Sequence, residues 1–168
     1  MIYYLNIGSN LGNRRDNLHC AVVVLGAAAL DGQVSQVVES EPWGFDSDRP
    51  FLNVGMMLSS DLQPQQMLDH IHDVERMLGS EAHRDAAGHY VDRLVDIDIM
   101  AVDEQVIHTP VLQVPHPHLP EREFFLKPMK DLNPRWRHPV LHLTATEMLQ
   151  RLQYRNGQHE LHLKDGKK

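Results

Sequence analysis

Asp92-Arg93-Leu94-Val95-Asp96-Ile97-Asp98-Ile99-Met100 interleaves carboxylates with aliphatic residues at a period of two. In a strand, Asp96 and Asp98 share one face and Val95, Ile97 and Ile99 the other; on a helix the two carboxylates would lie about 200° apart and could not meet one ligand. The period therefore predicts a strand over Arg93 to Val102. Two rises of about 3.3 Å put the carboxylates roughly 6 to 7 Å apart, where they repel by roughly 2 to 3 kcal/mol at an effective dielectric of about 20. A positive group between them relieves that repulsion. Ligation by two Asp residues, with water and phosphate completing the shell, is how Mg²⁺ is usually held. An exposed edge strand carrying solvated acids fits the same spacing.

Outward from this strand, Arg93 lies three residues before Asp96 and faces the other side unless the chain bends. Arg93, Arg84, His83, His116 and Arg122 supply positive groups from the flanking loops, as a metal-bound polyphosphate requires. Upstream, Pro64 opens a helix whose apolar side carries Met67, Leu68, Ile71, Val74 and Leu78, and Gly79 stops it. Glu75 borders that stripe as a rim charge or a site carboxylate, and His70 and His72 read as solvated. Ser80 to Asp92 reads as a loop that closes over the site, with Gly88 as its hinge. His116-Pro117-His118 lacks a third spaced His or a Cys, so zinc is not expected.

The remaining elements follow from period and punctuation. Ile2 to Ile7 is a strand, Gly8 to Asn13 a turn, and Asn13 caps a helix running to about Leu30. The glycine loop lacks both the Gly-Lys-Ser/Thr end of a P-loop and the dinucleotide fingerprint. Gln33 to Glu39 and Phe51 to Leu58 are β-prone, separated by a loop with Trp43 and Phe45. Thr109 to Pro120 reads as a functional loop. Thr144 to Glu147 is a capping box opening a last helix, Asn156-Gly157 signals a hairpin between Leu152–Arg155 and Gln158–Leu163, and Lys164 to Lys168 fray. The order β, α, β, β, α, β predicts an α+β sandwich, with helices on one face of a mainly antiparallel sheet.

A length of 168 residues suits one domain, expected over residues 1–163, and 42% apolar with 23% charged residues is ordinary for a globular fold. Acidic residues outnumber basic ones, 23 to 16, which disfavours nucleic acid as a partner. The single Cys20 excludes an internal disulfide framework. With no apolar run near the roughly 20 residues of a membrane span, and no basic segment before an apolar one at Met1 to Ile7, a cytoplasmic monomer without a membrane anchor is expected.

Several segments in this order and spacing resemble the 6-hydroxymethyl-7,8-dihydropterin pyrophosphokinases of folate biosynthesis. They are Ile7-Gly8-Ser9-Asn10-Leu11-Gly12, Ser40-Glu41-Pro42-Trp43-Gly44, Phe51-Leu52-Asn53, the acidic strand, and Val114-Pro115-His116-Pro117 with Arg122 and Phe124. The match runs over roughly Tyr3 to Pro134. It implies a ferredoxin-like fold and 2-amino-4-hydroxy-6-hydroxymethyldihydropteridine diphosphokinase activity: ATP and two Mg²⁺ ions, and transfer of the β,γ-pyrophosphoryl group to the pterin hydroxymethyl oxygen with release of AMP. By the same resemblance Asp96 and Asp98 hold both metals, with Asp96 close to the attacking hydroxyl, and Arg93 and Arg84 assist catalysis. Phe51 and Phe124 sandwich the pterin, Asn53 bonds its edge, and Ser40, Pro42 and Trp43 line its pocket. Arg93, His116 and Arg122 contact the ATP phosphates, and His72, Glu75 and Ile99 lie nearer the nucleoside. Where the family commonly has Gly-Arg-x-Arg and Gly-Pro-Arg-Thr, this chain has Gly79-Ser80-Glu81-Ala82-His83-Arg84 and Tyr90-Val91-Asp92-Arg93-Leu94, one arginine fewer, with His83 or Arg84 as its replacement. Two rival readings are a non-catalytic pterin or nucleotide binder of the same fold, and a ligand-free interaction domain presenting Trp43, Phe45 and Phe51.

Overall fold

Tyr3, Leu5 and Ile7 alternate with Tyr4, Asn6 and Gly8 along the first strand, and all six are buried, so this strand must be covered on both faces. The computed structural model describes residues 1–80, 86 and 91–165. Its elements are β1 (Ile2–Ser9), α1 (Arg14–Gly26), β2 (Asp31–Val34), β3 (Val38–Ser40), β4 (Phe51–Ser59), α2 (Pro64–Met77), β5 (Asp96–Val102), β6 (Ile107–His108), β7 (Gln113–Val114), a 3-10 turn over Leu119–Glu121, α3 (Glu123–Leu132) and α4 (Ala145–Asp165). The main sheet runs β2-β4-β1-β5, every pairing antiparallel, with β3 sharing the outer edge of β4 with β2. This is the strand order of an α+β ferredoxin-like fold.

One face of the sheet carries Tyr3, Leu5, Ile7, Val54, Met56, Ile97 and Ile99 against Leu18, Ala21 and Leu25 of α1 and Met67, Ile71 and Val74 of α2. Those helical positions recur every three or four residues, so each helix turns one apolar stripe inward. The opposite face carries Tyr4, Met100 and Ala101 against Phe125, Leu126 and Met129 of α3, Met148, Leu149 and Leu152 of α4, and Trp136. Helices thus cover both faces rather than the one expected, because the C-terminal helices bring their own apolar stripes to the Tyr4 side. Between β1 and β5 the register slips: Tyr4 pairs with Ala101 and Leu5 with Ile99. Met100 is the extra residue, and the bulge lets it join Ala101 in the second core.

Only half of that second face is covered. At the far end Asn6 pairs with Asp98, Gly8 with Asp96, and Gly8 on its other side with Asn53. These small and polar residues give the helices nothing apolar to bury, and the bay they leave holds the candidate site.

Several local expectations change in the tertiary context. The helix from Asn13 ends at Gly26 instead of Leu30. The Gln33–Glu39 run splits into β2 and β3. The acidic strand starts at Asp96 rather than Arg93. The Thr109–Pro120 loop contains β7 and the start of the 3-10 turn. Asn156-Gly157 makes no hairpin: α4 continues through it to Asp165, so Lys164 is helical, and residues 166–168 lie outside the described set. The capping box starts that helix as expected, the Thr144 N–H donating to Glu147 Oε2 at 2.7 Å and the Glu147 N–H to Thr144 Oγ1 at 3.2 Å. Once nucleated, a helix propagates at little cost, and a lone hairpin without a third strand has nothing to bury. His83, Arg84 and Gly88 also fall outside the described residues.

Close approach of α3 to β4 depends on Gly55, where a Cβ would sit 2.5 Å from Pro128 Cβ and 3.0 Å from Leu132 Cδ1. Gly55→Ala is expected to push α3 off the sheet and destabilise the fold by roughly 1–3 kcal/mol, measured as a shift of the urea midpoint at unchanged slope.

Candidate active site

β5 presents Asp96 and Asp98 on one face, as their spacing predicts, at the edge of the sheet. An edge strand exposes backbone groups that need partners. Here the Ile97 N–H donates to Glu75 Oε1 at 2.8 Å, the Val95 N–H to Ser80 Oγ at 2.8 Å, and Met100 C=O accepts from the His116 N–H at 2.9 Å. Glu75 is only 2% exposed, so it is neither a rim charge nor a group turned wholly to a ligand: it ties α2 to the acidic strand.

Arg93 reaches Asp96 because β5 has not yet begun at residue 93 and the chain bends there; its guanidinium pairs with the Asp96 carboxylate. A regular strand would have sent the two apart. The bend is held from the glycine loop. Asn10 Oδ1 accepts from the Arg93 N–H at 2.7 Å, and Arg93 C=O accepts from the N–H groups of Asn10 at 3.1 Å and Leu11 at 3.2 Å. Asn10 Nδ2 also donates to Asp92 Oδ1 at 2.7 Å, which takes a second hydrogen bond from Ser47 Oγ at 2.7 Å. Asn10, Asp92 and Ser47 escape the sequence reading as supports of the site; the one local signal was the polar glycine loop itself.

Around Asp98 stand Arg122, with Nη1 at 3.9 Å, and His116, with Nε2 at 3.8 Å. Burial first, and then the Asp96 charge, raise the Asp98 carboxyl to about 7, against the pull of Arg122 and Arg93. Burial, with the Arg122 and His118 charges, lowers His116 to about 3. His116 is therefore neutral near pH 7 and not the positive group its residue type suggested. Its Nδ1 accepts from the His118 N–H at 3.1 Å, which leaves the ring proton on Nε2, the nitrogen on the Asp98 side. No group of three or more His, Cys, Asp or Glu able to hold a metal occurs among the described residues. Two carboxylates without a third protein ligand suit a hard cation that completes its shell with water and phosphate oxygens.

Two cavities share this acidic wall. The first, about 130 Å³, is lined by Ser40, Trp43, Phe51, Asn53, Arg122 and Phe124 together with Asn6, Glu41 and His118, which sequence reasoning missed. Pro42 does not line it. The Arg122 guanidinium lies 4.3 Å from the Trp43 ring centroid, so this arginine sits among the aromatic residues. The second, about 350 Å³, is lined by His72, Glu75 and Ile99 with Leu68, Leu112 and Gln113. Arg93, Asp96, Asp98 and His116 border both. His70, expected to be solvated, is half-buried on α2 and belongs to neither.

A family model described as 7,8-dihydro-6-hydroxymethylpterin-pyrophosphokinase (HPPK) matches residues 4–134. A relative from Porphyromonas gingivalis named 2-amino-4-hydroxy-6-hydroxymethyldihydropteridine pyrophosphokinase is 39% identical over 142 residues, covering 82% of this chain and 94% of the relative. An identically named protein from Aquifex aeolicus is 36% identical over 137 residues, with 82% and 83% covered. Among solved structures, a Plasmodium falciparum HPPK-DHPS with pteroate superposes with a TM-score of 0.71 at 13% identity, over 89% of this chain and 44% of that longer one. At that identity the likeness concerns the fold.

The two shifted groups pull stability in opposite directions. His116 is protonated near 6.5 when unfolded and near 3 when folded, so its contribution is lost as pH falls below about 6.5. Asp98 is protonated near 3.8 when unfolded and near 7 when folded, so its penalty is relieved as pH falls below about 7. Imidazole nitrogen NMR on the metal-free protein is expected to show His116 as the neutral Nε2–H form down to pH 5; a positively charged ring at pH 6 contradicts this.

Proposed function

Because the chain belongs to the 7,8-dihydro-6-hydroxymethylpterin pyrophosphokinase family, we propose that its two cavities receive the two substrates and that the Asp96–Asp98 wall is where they meet. The chain is a pyrophosphokinase of folate biosynthesis with ATP as co-substrate. The observation that carries the reading of the site is the pair of cavities with one acidic border. A transfer between two bound molecules needs them in neighbouring compartments with the charged groups between.

The cavity with Phe51 and Phe124 takes the pterin, its flat ring between aromatic faces and its edge on Asn53, and Ser40 and Trp43 complete the wall. The cavity with His72, Glu75 and Ile99 takes the nucleoside of ATP. The polyphosphate then crosses Asp96 and Asp98, and the hydroxymethyl oxygen attacks the β-phosphorus as the bond to AMP breaks. Mg²⁺, as two ions held by Asp96 and Asp98, neutralises phosphate charge when bound. Asp96 orients the attacking hydroxyl. Arg93, fixed by Asn10, and Arg122 supply positive charge beside the transferred group, and His116 offers a neutral N–H donor. Arg84 is assigned to the same phosphates by resemblance alone.

These residues belong to a single domain over residues 1–163, which is read as a monomer. The lone Cys20 and the small-molecule substrates suit the cytoplasm. No helix among the described residues is long and apolar enough to cross a membrane. No observation favours the non-catalytic binder or the ligand-free interaction domain.

Asp96→Asn and Asp98→Asn are expected to lower AMP formation from ATP and 6-hydroxymethyl-7,8-dihydropterin by roughly 10²-fold or more, with pterin binding, followed by fluorescence, retained. Turnover at the wild-type rate in folded variants refutes the metal role. Pterin binding without AMP release by the wild-type protein restores the non-catalytic alternative.

A further inference from the structure

Asn6 is 2% exposed at the middle of β1, on the face that floors the aromatic cavity and opposite Asp98 in register. A strand this deep in the sheet is expected to carry an apolar residue there, as it does at Tyr4 on the same face. Instead, Asn6 Nδ2 donates to Asn53 Oδ1 at 3.3 Å, and Asn6 Oδ1 has no hydrogen-bond partner among the described residues. An orphaned buried acceptor lowers stability, so its retention needs a cause.

Asn53 supplies one. It too is 2% exposed, and its Nδ2 donates to Ser40 Oγ at 2.8 Å and to Val38 C=O at 3.4 Å. Both amide protons are thus engaged by β3, and only the oxygen, through its second lone pair, remains for a ligand. Turning the amide over would set its oxygen against the Val38 carbonyl, so the Val38 acceptor fixes the polarity of Asn53 and the Asn6 N–H holds the oxygen so presented.

We propose that Asn6 is a positioning residue for pterin recognition, holding the Asn53 amide so that it offers the ring an acceptor only and selects an edge that presents an N–H. The proposal rests on the pterin reading of this cavity. It separates two tasks within the floor: Asp98 serves the phosphates, and the neighbouring Asn6 acts through Asn53 on the heterocycle.

The test is a double-mutant cycle of Asn6→Ala and Asn53→Ala. It follows the Kd and KM for 6-hydroxymethyl-7,8-dihydropterin, the KM for ATP, kcat and the thermal midpoint. Asn6→Ala is expected to weaken pterin binding about five- to tenfold, with KM for ATP and kcat nearly unchanged and the thermal midpoint nearly unchanged, since the orphaned Asn6 Oδ1 is removed while Asn53 Oδ1 loses its donor. In the Asn53→Ala background the same change is expected to cost nothing further. If Asn6→Ala does not fold, Asn6→Leu, which fills similar space without a donor, takes its place. Wild-type pterin affinity in either Asn6 variant overturns the proposal, as do additive losses in the double variant or a parallel rise in KM for ATP with a lowered thermal midpoint. Failure of the wild-type protein to bind pterin at all overturns instead the reading of the cavity on which the proposal depends.

Discussion

Repulsion between two carboxylates on one strand face is the constraint from which the site follows. Left alone, Asp96 and Asp98 oppose folding, and Asp98 is shifted toward neutrality first by its burial and then by the Asp96 charge. The surroundings answer with the Arg93 guanidinium on Asp96 and Arg122 near Asp98, both approaching from outside the strand. Those cations offset part of the repulsion, so the two carboxylates can share one wall between the two cavities.

An acidic strand at a sheet edge needs backbone support that its own side chains cannot provide. Glu75 and Ser80 at the end of α2 take the N–H groups of Ile97 and Val95, and the glycine loop grips Arg93 through Asn10. The first layer, α1 and α2 on the apolar face, is therefore also the mount for the acidic edge. On the other face, α3 and α4 cover only the half that is apolar, and Gly55 lets α3 come close enough to seal it. The uncovered half keeps Asn6, Gly8 and Asn53, which line the aromatic cavity and give α3 and α4 nothing apolar to bury.

Identity of a residue type did not settle its charge or role. His116 borders the acidic wall beside the arginines, yet burial next to Arg122 and His118 makes it a neutral donor. Glu75 follows an apolar stripe in sequence and turns out to be a buried acceptor for a neighbouring strand. Both outcomes depend on desolvation, which only the packed surroundings define.

The chain's own pattern determined the strand nature of Asp96 to Val102, the shared face of its two carboxylates, the amphipathic helix after Pro64 and the α+β order of elements, because side-chain direction along one element is set by local backbone geometry. Its motifs also marked the family and the aromatic lining of the pocket. Tertiary structure alone decided that Arg93 bends back to Asp96, that helices close both faces of the sheet, that Asn156-Gly157 continues a helix, and that Asn6 orients Asn53. Each of these depends on which distant segments come into contact and on how much water they exclude, and neither quantity is written in the spacing of neighbouring residues.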